Sequence, residues 1–228
     1  MENNFKKKSI KSRFLDKLQR RNRGNFFMIL KNYYYYISSK IFKFTDDKRA
    51  YIIKQLNKNS IVAEIGVWRG DFSYEIFKYV SPRRLVLVDP WIYNKNIRGC
   101  APQVKGIEPI NQKFFDQAKF STFKKFCGLD NVTILDTSSK NASKKYEDNF
   151  FDYIYIDGEH SYKAVYEDLI YWYPKLKQNG KIFGDDFYWR EEDNSFSVKK
   201  AYDDFIFKHK IKKWCVFKSQ ICLTKNNV

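Results

Sequence analysis

No stretch of this 228-residue chain approaches the ~18 consecutive apolar residues that a membrane-crossing helix needs. Its longest early apolar run, Phe26 to Leu30, spans five residues. That is too short for the apolar region of a secretory leader, and no small-residue cleavage site accompanies it. Cysteine is sparse. Cys100, Cys127, Cys215 and Cys222 lie 27, 88 and 7 apart with no C-x-x-C pair, which fits neither a zinc site nor a disulfide framework. Buried free thiols in a reducing cytosol are the expectation. Acids are outnumbered, 26 against 43 Lys and Arg for a net charge of +17, and there are only two histidines. Apolar and aromatic residues are abundant, at 43% and 19%, enough for one sizeable core and too much for a disordered chain. The length fits one α/β domain with an extension, or two small domains.

The positive charge is uneven. Residues 1–44 carry twelve Lys/Arg against Glu2 and Asp16, a net of +10, which leaves +7 for the other 184. They read as a basic N-terminal extension, with residues 45–228 as the folded domain. Lys6-Lys7-Lys8 and Arg20-Arg21-Asn22-Arg23 would attract nucleic acid or an anionic membrane surface. The plainer alternative is a solvated arm followed by a helix packed on the domain.

Thr45-Asp46-Asp47, a capping hydroxyl followed by acids, predicts a helix to about Asn57 with Ile52, Ile53 and Leu56 inward. Ser60 to Ile65 predicts a first strand, and Asp71 to Val80 a helix stopped by Ser81-Pro82. Leu85 to Val88 is continuously apolar, as in a parallel strand buried on both faces. Residues 90–110 look like loop. Asn111 to Cys127 predicts a helix with Phe114, Phe115, Ala118, Phe123 and Phe126 on one side. Further strands are Val132 to Leu135, Tyr153 to Ile156 and Lys181 to Phe183, the last preceded by an Asn179-Gly180 turn. Tyr162, Val165, Leu169, Trp172 and Leu176 are spaced 3, 4, 3, 4 as on one helix face, with Pro174 loosening the last turn. A helix from Ser197 to Lys208 precedes a hairpin of Trp214 to Phe217 and Gln220 to Thr224. The alternation predicts an α/β, Rossmann-like, open and mostly parallel sheet, with helices on both faces and a C-terminal antiparallel hairpin. In such sheets the ligand sits outside the carboxyl ends of the strands. Acids mark those ends here: Glu64, Asp89, Asp157 and Asp185-Asp186.

The first βα turn reads Glu64-Ile65-Gly66-Val67-Trp68-Arg69-Gly70-Asp71. A dinucleotide fingerprint needs glycine where Trp68 stands, so NAD and FAD are disfavoured. No Gly-Lys-Ser/Thr follows, which excludes a P-loop. What remains is E-x-G-x-x-x-G with Asp89 placed 19 residues later, where a carboxylate can accept both hydroxyls of a ribose. Glu64, Gly66, Gly70 and Asp89 together resemble the S-adenosylmethionine site of class I methyltransferases. Ser138, in the Asp136-Thr137-Ser138 turn after the third strand, stands where that fold usually meets the adenine. A plain loop is the alternative.

Asp157-Gly158-Glu159-His160-Ser161-Tyr162 and Gly184-Asp185-Asp186-Phe187 form the sharper signal. Three carboxylates at neighbouring strand ends repel one another, so they must be solvated, protonated or bridged by a cation. Oxygen-only ligands suit Mg²⁺ or Mn²⁺ better than zinc. His160 stands beside the cluster, three residues past Asp157. Trp68, Trp91, Tyr188 and Trp189 are placed to flank a pocket mouth, where a sugar ring could stack.

Residues 60–187 resemble the metal-dependent class I methyltransferases related to macrocin and mycinamicin sugar O-methyltransferases, with cephalosporin hydroxylase-like proteins as near neighbours. The resemblance implies that Asp157, Asp185 and Asp186 hold Mg²⁺ or Mn²⁺, and that His160, with Asp157, is catalytic as the general base. In those relatives the first of the acidic pair is often Glu, so Asp185 is a departure. The implied reaction moves the methyl group of S-adenosylmethionine to a hydroxyl of a small molecule, sugar or glycan, with a vicinal diol as the expected acceptor. The alternative is an RNA- or membrane-surface-binding protein with a methyltransferase-like domain. Expected partners are that acceptor, a second copy of the chain, and nucleic acid or an anionic membrane through residues 1–44. The expected location is cytoplasmic or peripheral at a membrane surface.

Overall fold

The computed structural model describes residues 47–94, 111–191 and 193–226. The basic extension, the helix start at Thr45-Asp46 and residues 95–110 with Cys100 lie outside the described residues. The elements run α1 (Asp47–Gln55), β1 (Ile61–Ile65), α2 (Asp71–Val80), β2 (Arg84–Asp89), α3 (Gln112–Phe126), β3 (Val132–Asp136), α4 (Ser139–Ser143), β4 (Phe151–Ile156), α5 (Tyr162–Trp172), β5 (Leu176–Gly184), α6 (Ser197–Lys208), β6 (Lys213–Phe217) and β7 (Gln220–Thr224). Seven strands make one sheet in the order β3-β2-β1-β4-β5-β7-β6. β3 to β5 pair in parallel. β7 enters antiparallel between β5 and β6. None of the described helices is long and apolar enough to cross a membrane.

The strands read as continuous apolar runs because both faces are covered. Ile61, Ala63 and Ile65 of β1, Val86 and Val88 of β2, and Ile154 and Ile156 of β4 share one cluster with Val165, Leu169 and Trp172 of α5 and Tyr202 and Phe205 of α6. Alternate residues point the other way. There the Phe72 ring of α2 lies 4.6 Å from that of Tyr155 in β4, and Ser73 of α2 bonds Glu64 of β1. Each large side chain so buried contributes roughly 1.5–3 kcal/mol relative to exposure. α1 is anchored by Ile52, Ile53 and Leu56, all buried as predicted.

Several local expectations are corrected. α5 stops at Trp172, and Leu176 opens β5 rather than extending the helical stripe. Pro174 lacks the N–H and restricts the residue before it, so the helix cannot run through. β5 takes in Asn179-Gly180 as an irregularity, with Asn179 at φ 61° and a register shift against Phe151 and Tyr153. On α3 the buried face is Phe115, Ala118, Thr122 and Phe126, while Phe114 and Phe123 are exposed. The short α4 was not anticipated. Among the described cysteines Cys127 and Cys215 are exposed and Cys222 is buried.

The chain winds from β1 through β2 to β3 on one side, then returns to start β4 on the other. The crevice between the carboxyl ends of β1 and β4 is therefore the topological switch point.

Candidate active site

At that switch point two turns meet almost without clearance. The Asp157 amide donates to the Ile65 carbonyl at 2.8 Å, and the Gly66 amide to the Val88 carbonyl at 2.9 Å. Gly66 has φ +87°, and a Cβ there would lie 2.2 Å from the Asp157 carbonyl oxygen and 2.6 Å from Gly158 Cα. Only glycine fits this conformation and this approach.

Asp89, at the end of β2, folds the glycine turn onto itself. Its Oδ2 accepts the amides of Val67 at 3.0 Å and Trp68 at 2.8 Å, and its Oδ1 accepts that of Trp91 at 2.7 Å. Burial raises its pKa above the usual carboxylate value, and the three N–H bonds work against that rise. A carboxylate has about four acceptor sites, so one is left for a ligand hydroxyl. Trp68 and Trp91 both take left-handed backbones, at φ 54° and 42°. Trp91 Nε1 donates to the Trp68 carbonyl at 2.7 Å, and the ring is 1% exposed. The expectation that Trp91 flanks a pocket mouth is therefore corrected: it is a core residue bracing the turn.

A cavity of about 540 Å³ opens at the switch point, lined by Glu64, Gly66, Asp89, Ser138, Asp157 and His160 among others. That volume suits a nucleoside-sized ligand. Glu64 is 2% exposed and accepts a hydrogen bond from Ser73 Oγ. Burial pushes its carboxyl up to about 8, more than Ser73 and Arg49 pull it down. Ser138 caps α4, its Oγ accepting the Asn141 amide at 3.4 Å. Gly70 stands apart from the lining. It caps α2 at φ +70°, where a Cβ would press on Thr122 and Phe126 of α3. Asp168 of α5 also lines the cavity and accepts from Ser139 Oγ, which in turn accepts Trp172 Nε1 at 2.8 Å. Burial pushes that carboxyl up to about 7.

The acidic cluster forms at the ends of β4 and β5. His160 lies beside it, with Nε2 3.4 Å from Asp186 Oδ2 and its ring stacked on Trp189 at 4.5 Å. Neither ring nitrogen makes a well-formed hydrogen bond within the described residues, and the 3.4 Å contact with Asp186 becomes an ion pair when the ring is protonated. Burial works against the imidazolium, but Asp186, Asp157 and Asp185 outweigh it and raise the His160 pKa above its ordinary value. Asp186 is held low, first by His160. Asp157 is driven well up, first by burial and then by Asp185.

Two basic side chains from α1 face these carboxylates. Arg49 Nη2 is 3.1 Å from Asp157 Oδ2 and 3.7 Å from Asp185 Oδ2. Lys48 Nζ is 3.5 Å from Asp185 Oδ1 and 3.6 Å from Asp186 Oδ1. Asp185 is further engaged. Its Oδ1 accepts Gln220 Nε2 and the Asp186 amide, and its Oδ2 accepts the Tyr155 hydroxyl at 2.8 Å. These donors leave Asp185 little acceptor capacity for a metal. Among the described residues no group of three or more His, Cys, Asp or Glu is arranged to hold one. The three expected ligands are brought together, but as arranged they do not fit a divalent ion.

Sequence reasoning missed Lys48, Arg49, Tyr155, Gln220 and Asp168. Tyr155 was accessible from strand alternation, since it shares a sheet face with Glu64. Lys48 and Arg49 were not, because nothing in their spacing places α1 against the ends of β4 and β5.

A mostly parallel sheet in this order, with a glycine turn and an acid at the β2 end, defines a class I methyltransferase fold. Residues 63–187 match the family described as "Methyltransferase domain". The chain belongs to that family and is an S-adenosylmethionine-dependent methyltransferase. Among solved structures it is similar to the O-methyltransferase NovP, at 17% identity and TM-score 0.56, over 79% of this chain and 80% of that one. A Corynebacterium glutamicum protein is similar at 12% identity and TM-score 0.56, over 82% and 84%. The precorrin 8w decarboxylase of Methanobacterium thermoautotrophicum is similar at 15% identity and TM-score 0.52, over 82% and 93%. At these identities the likeness is one of fold. No curated protein matches the chain.

Proposed function

We propose that the protein methylates a hydroxyl oxygen of a small molecule, sugar or glycan. The observation that carries this reading is His160: a buried imidazole lining the cofactor cavity, with no well-formed hydrogen bond within the described residues and a carboxylate 3.4 Å away. Its neighbourhood suits an acceptor that must lose a proton.

In this reading the Gly66 to Trp68 turn, Glu64, Asp89 and Ser138 hold S-adenosylmethionine. That cofactor supplies an electrophilic methyl group, whose transfer to the acceptor oxygen leaves the electron pair of the broken carbon–sulfur bond on sulfur. His160 takes the hydroxyl proton, and Asp186 stabilises the imidazolium that results. Asp157 acts beside it by orienting the same pocket wall. Arg49, which lines the cavity, places positive charge near the oxygen as it becomes negative. The Mg²⁺ assistance implied by the family resemblance would require Asp157, Asp185 and Asp186 to part from Arg49 and Lys48, and no step here depends on it.

Calorimetry with S-adenosylmethionine, followed by a screen of diol and sugar acceptors for S-adenosylhomocysteine release, tests the reading. His160→Ala is expected to lose roughly 10²- to 10⁴-fold in turnover with cofactor affinity unchanged. Full activity in that variant would remove His160 as the base.

A further inference from the structure

The three carboxylates of Asp157, Asp185 and Asp186 converge in a largely buried setting where their mutual repulsion is relieved by a bound proton or by positive charge nearby. Two cationic side chains of one helix face all three. Arg49 bridges Asp157 and Asp185, and Lys48 bridges Asp185 and Asp186. Their combined charge equals that of one divalent cation.

The positions of these cations are fixed by packing rather than by the carboxylates alone. Ile52, Ile53 and Leu56 bury the inner face of α1. The Tyr51 ring stacks on Phe217 at 4.3 Å, and Lys181 Nζ donates to Gln55 Oε1 at 3.1 Å. The Arg49 guanidinium lies 5.0 Å over the centroid of the Phe72 ring. A planar cation held on an aromatic face and against two carboxylates is not a side chain passing over a metal site.

Asp185 gives the independent half of the argument. Gln220, Tyr155 and the Asp186 amide all donate to it. They leave about one acceptor site, on Oδ2, and Arg49 Nη2 already faces that oxygen at 3.7 Å. Gln220 and Tyr155 are themselves buried, each 2% exposed, so both donors are held by packing.

We infer that Lys48 and Arg49 are this protein's built-in counter-cations, taking the place that a divalent ion holds in the resembled methyltransferases, so that its carboxylate cluster does not take up Mg²⁺ or Mn²⁺. The inference rests on the methyl-transfer reading only for what the cluster serves. Lys48 and Arg49 become positioning residues: they hold the three carboxylates together and so hold Asp186 against His160.

The test is Mn²⁺ titration of the full-length protein followed by electron paramagnetic resonance, with S-adenosylmethionine calorimetry in parallel. The wild type is expected to show no stoichiometric Mn²⁺ site up to about 1 mM, the weak end of protein calcium sites. The Lys48→Gln/Arg49→Gln variant leaves three carboxylates without their cations. It is expected to gain one Mn²⁺ per chain, with affinity improved by roughly tenfold or more. A stoichiometric Mn²⁺ site in the wild type that Asp157→Asn removes would overturn the inference, as would a folded double variant that gains none. If the double variant does not fold, Lys48→Gln alone carries the test, with a smaller gain expected and no gain counting against the inference. Failure of the wild type to bind S-adenosylmethionine would instead strike the methyl-transfer reading, while the Mn²⁺ result still decides the cation assignment.

Discussion

Glu64→Gln isolates one buried proton. Glu64 sits in β1 on the face covered by α2, 2% exposed, with its carboxyl pushed up to about 8 by burial. In the unfolded chain the same group titrates near its ordinary value of 4.5. Between those two values the folded protein binds one proton more than the unfolded chain, so stability falls as pH rises. The Glu64 contribution is fully present below the unfolded value and is lost as pH passes through about 8. Integrated from pH 5 to pH 8, the loss from this group is roughly 3–4 kcal/mol. In a domain of this size that corresponds to roughly ten degrees in melting temperature. Glutamine keeps the oxygen that Ser73 donates to and cannot ionise, so the variant lacks this loss. Urea unfolding of wild type and variant at pH 5 and pH 8 gives the comparison, and taking the difference between the two proteins cancels other titrating groups such as Asp168. The variant should gain about 3 kcal/mol on the wild type between the two pH values. Parallel pH profiles would show that Glu64 is ionised in the folded protein and that the burial argument fails.

Gly66→Ala should cost roughly 3 kcal/mol or more and abolish S-adenosylmethionine binding, because the new methyl would meet the Asp157 backbone at 2.2 Å. A stable variant with normal calorimetry would refute the close approach. Asp89→Ala should weaken S-adenosylmethionine binding and also lower stability by roughly 2 kcal/mol or more, since it strips three backbone amides of their acceptor. Unchanged affinity, or preferential binding of NADH, would defeat the cofactor assignment. Turnover should rise with pH through a value above 6.5 and then level off, because His160 must be neutral to accept a proton and its carboxylate neighbours hold it charged to higher pH. His160→Ala should lose that rise, and a rise surviving in the variant would assign it to another group.

The part of the site proposed to hold cofactor was legible in the sequence because it is made by backbone. A glycine forced into the left-handed region leaves a mark in the sequence, and so does an acid at the end of a continuous apolar strand. Gly66 and Asp89 were found on those grounds, and the cavity brings them together with Glu64, Ser138, Asp157 and His160. Strand and helix periods likewise located α2 and α6 at the observed residues. The errors came where one residue could obey two patterns. Leu176 continued a helical stripe and also opened a strand, and Pro174 decided between them. Phe114 and Phe123 lie one position off the buried stripe of α3, where a Phe-rich helix offers several equally apolar faces.

The part that would do the chemistry was only half legible, and the missing half is electrostatic. An isolated acid at a strand end shows in the sequence, but its counter-charge can come from anywhere the fold brings near. Here it comes from a helix 108 residues before Asp157, as the Arg49 contact records. The glutamine that closes Asp185 comes from β7, 35 residues after it. Three carboxylates in a row of strand ends therefore call for solvent, a proton or a cation, and where it is a cation they do not say whether it is a metal or a side chain. That choice depends on which donors already occupy the carboxylate oxygens. At Asp185 those donors are Gln220, Tyr155 and a backbone amide, and the remaining faces of the cluster look toward Lys48 and Arg49. The same acidic signature is thus compatible with two different sources of positive charge, and the side chains around it select one.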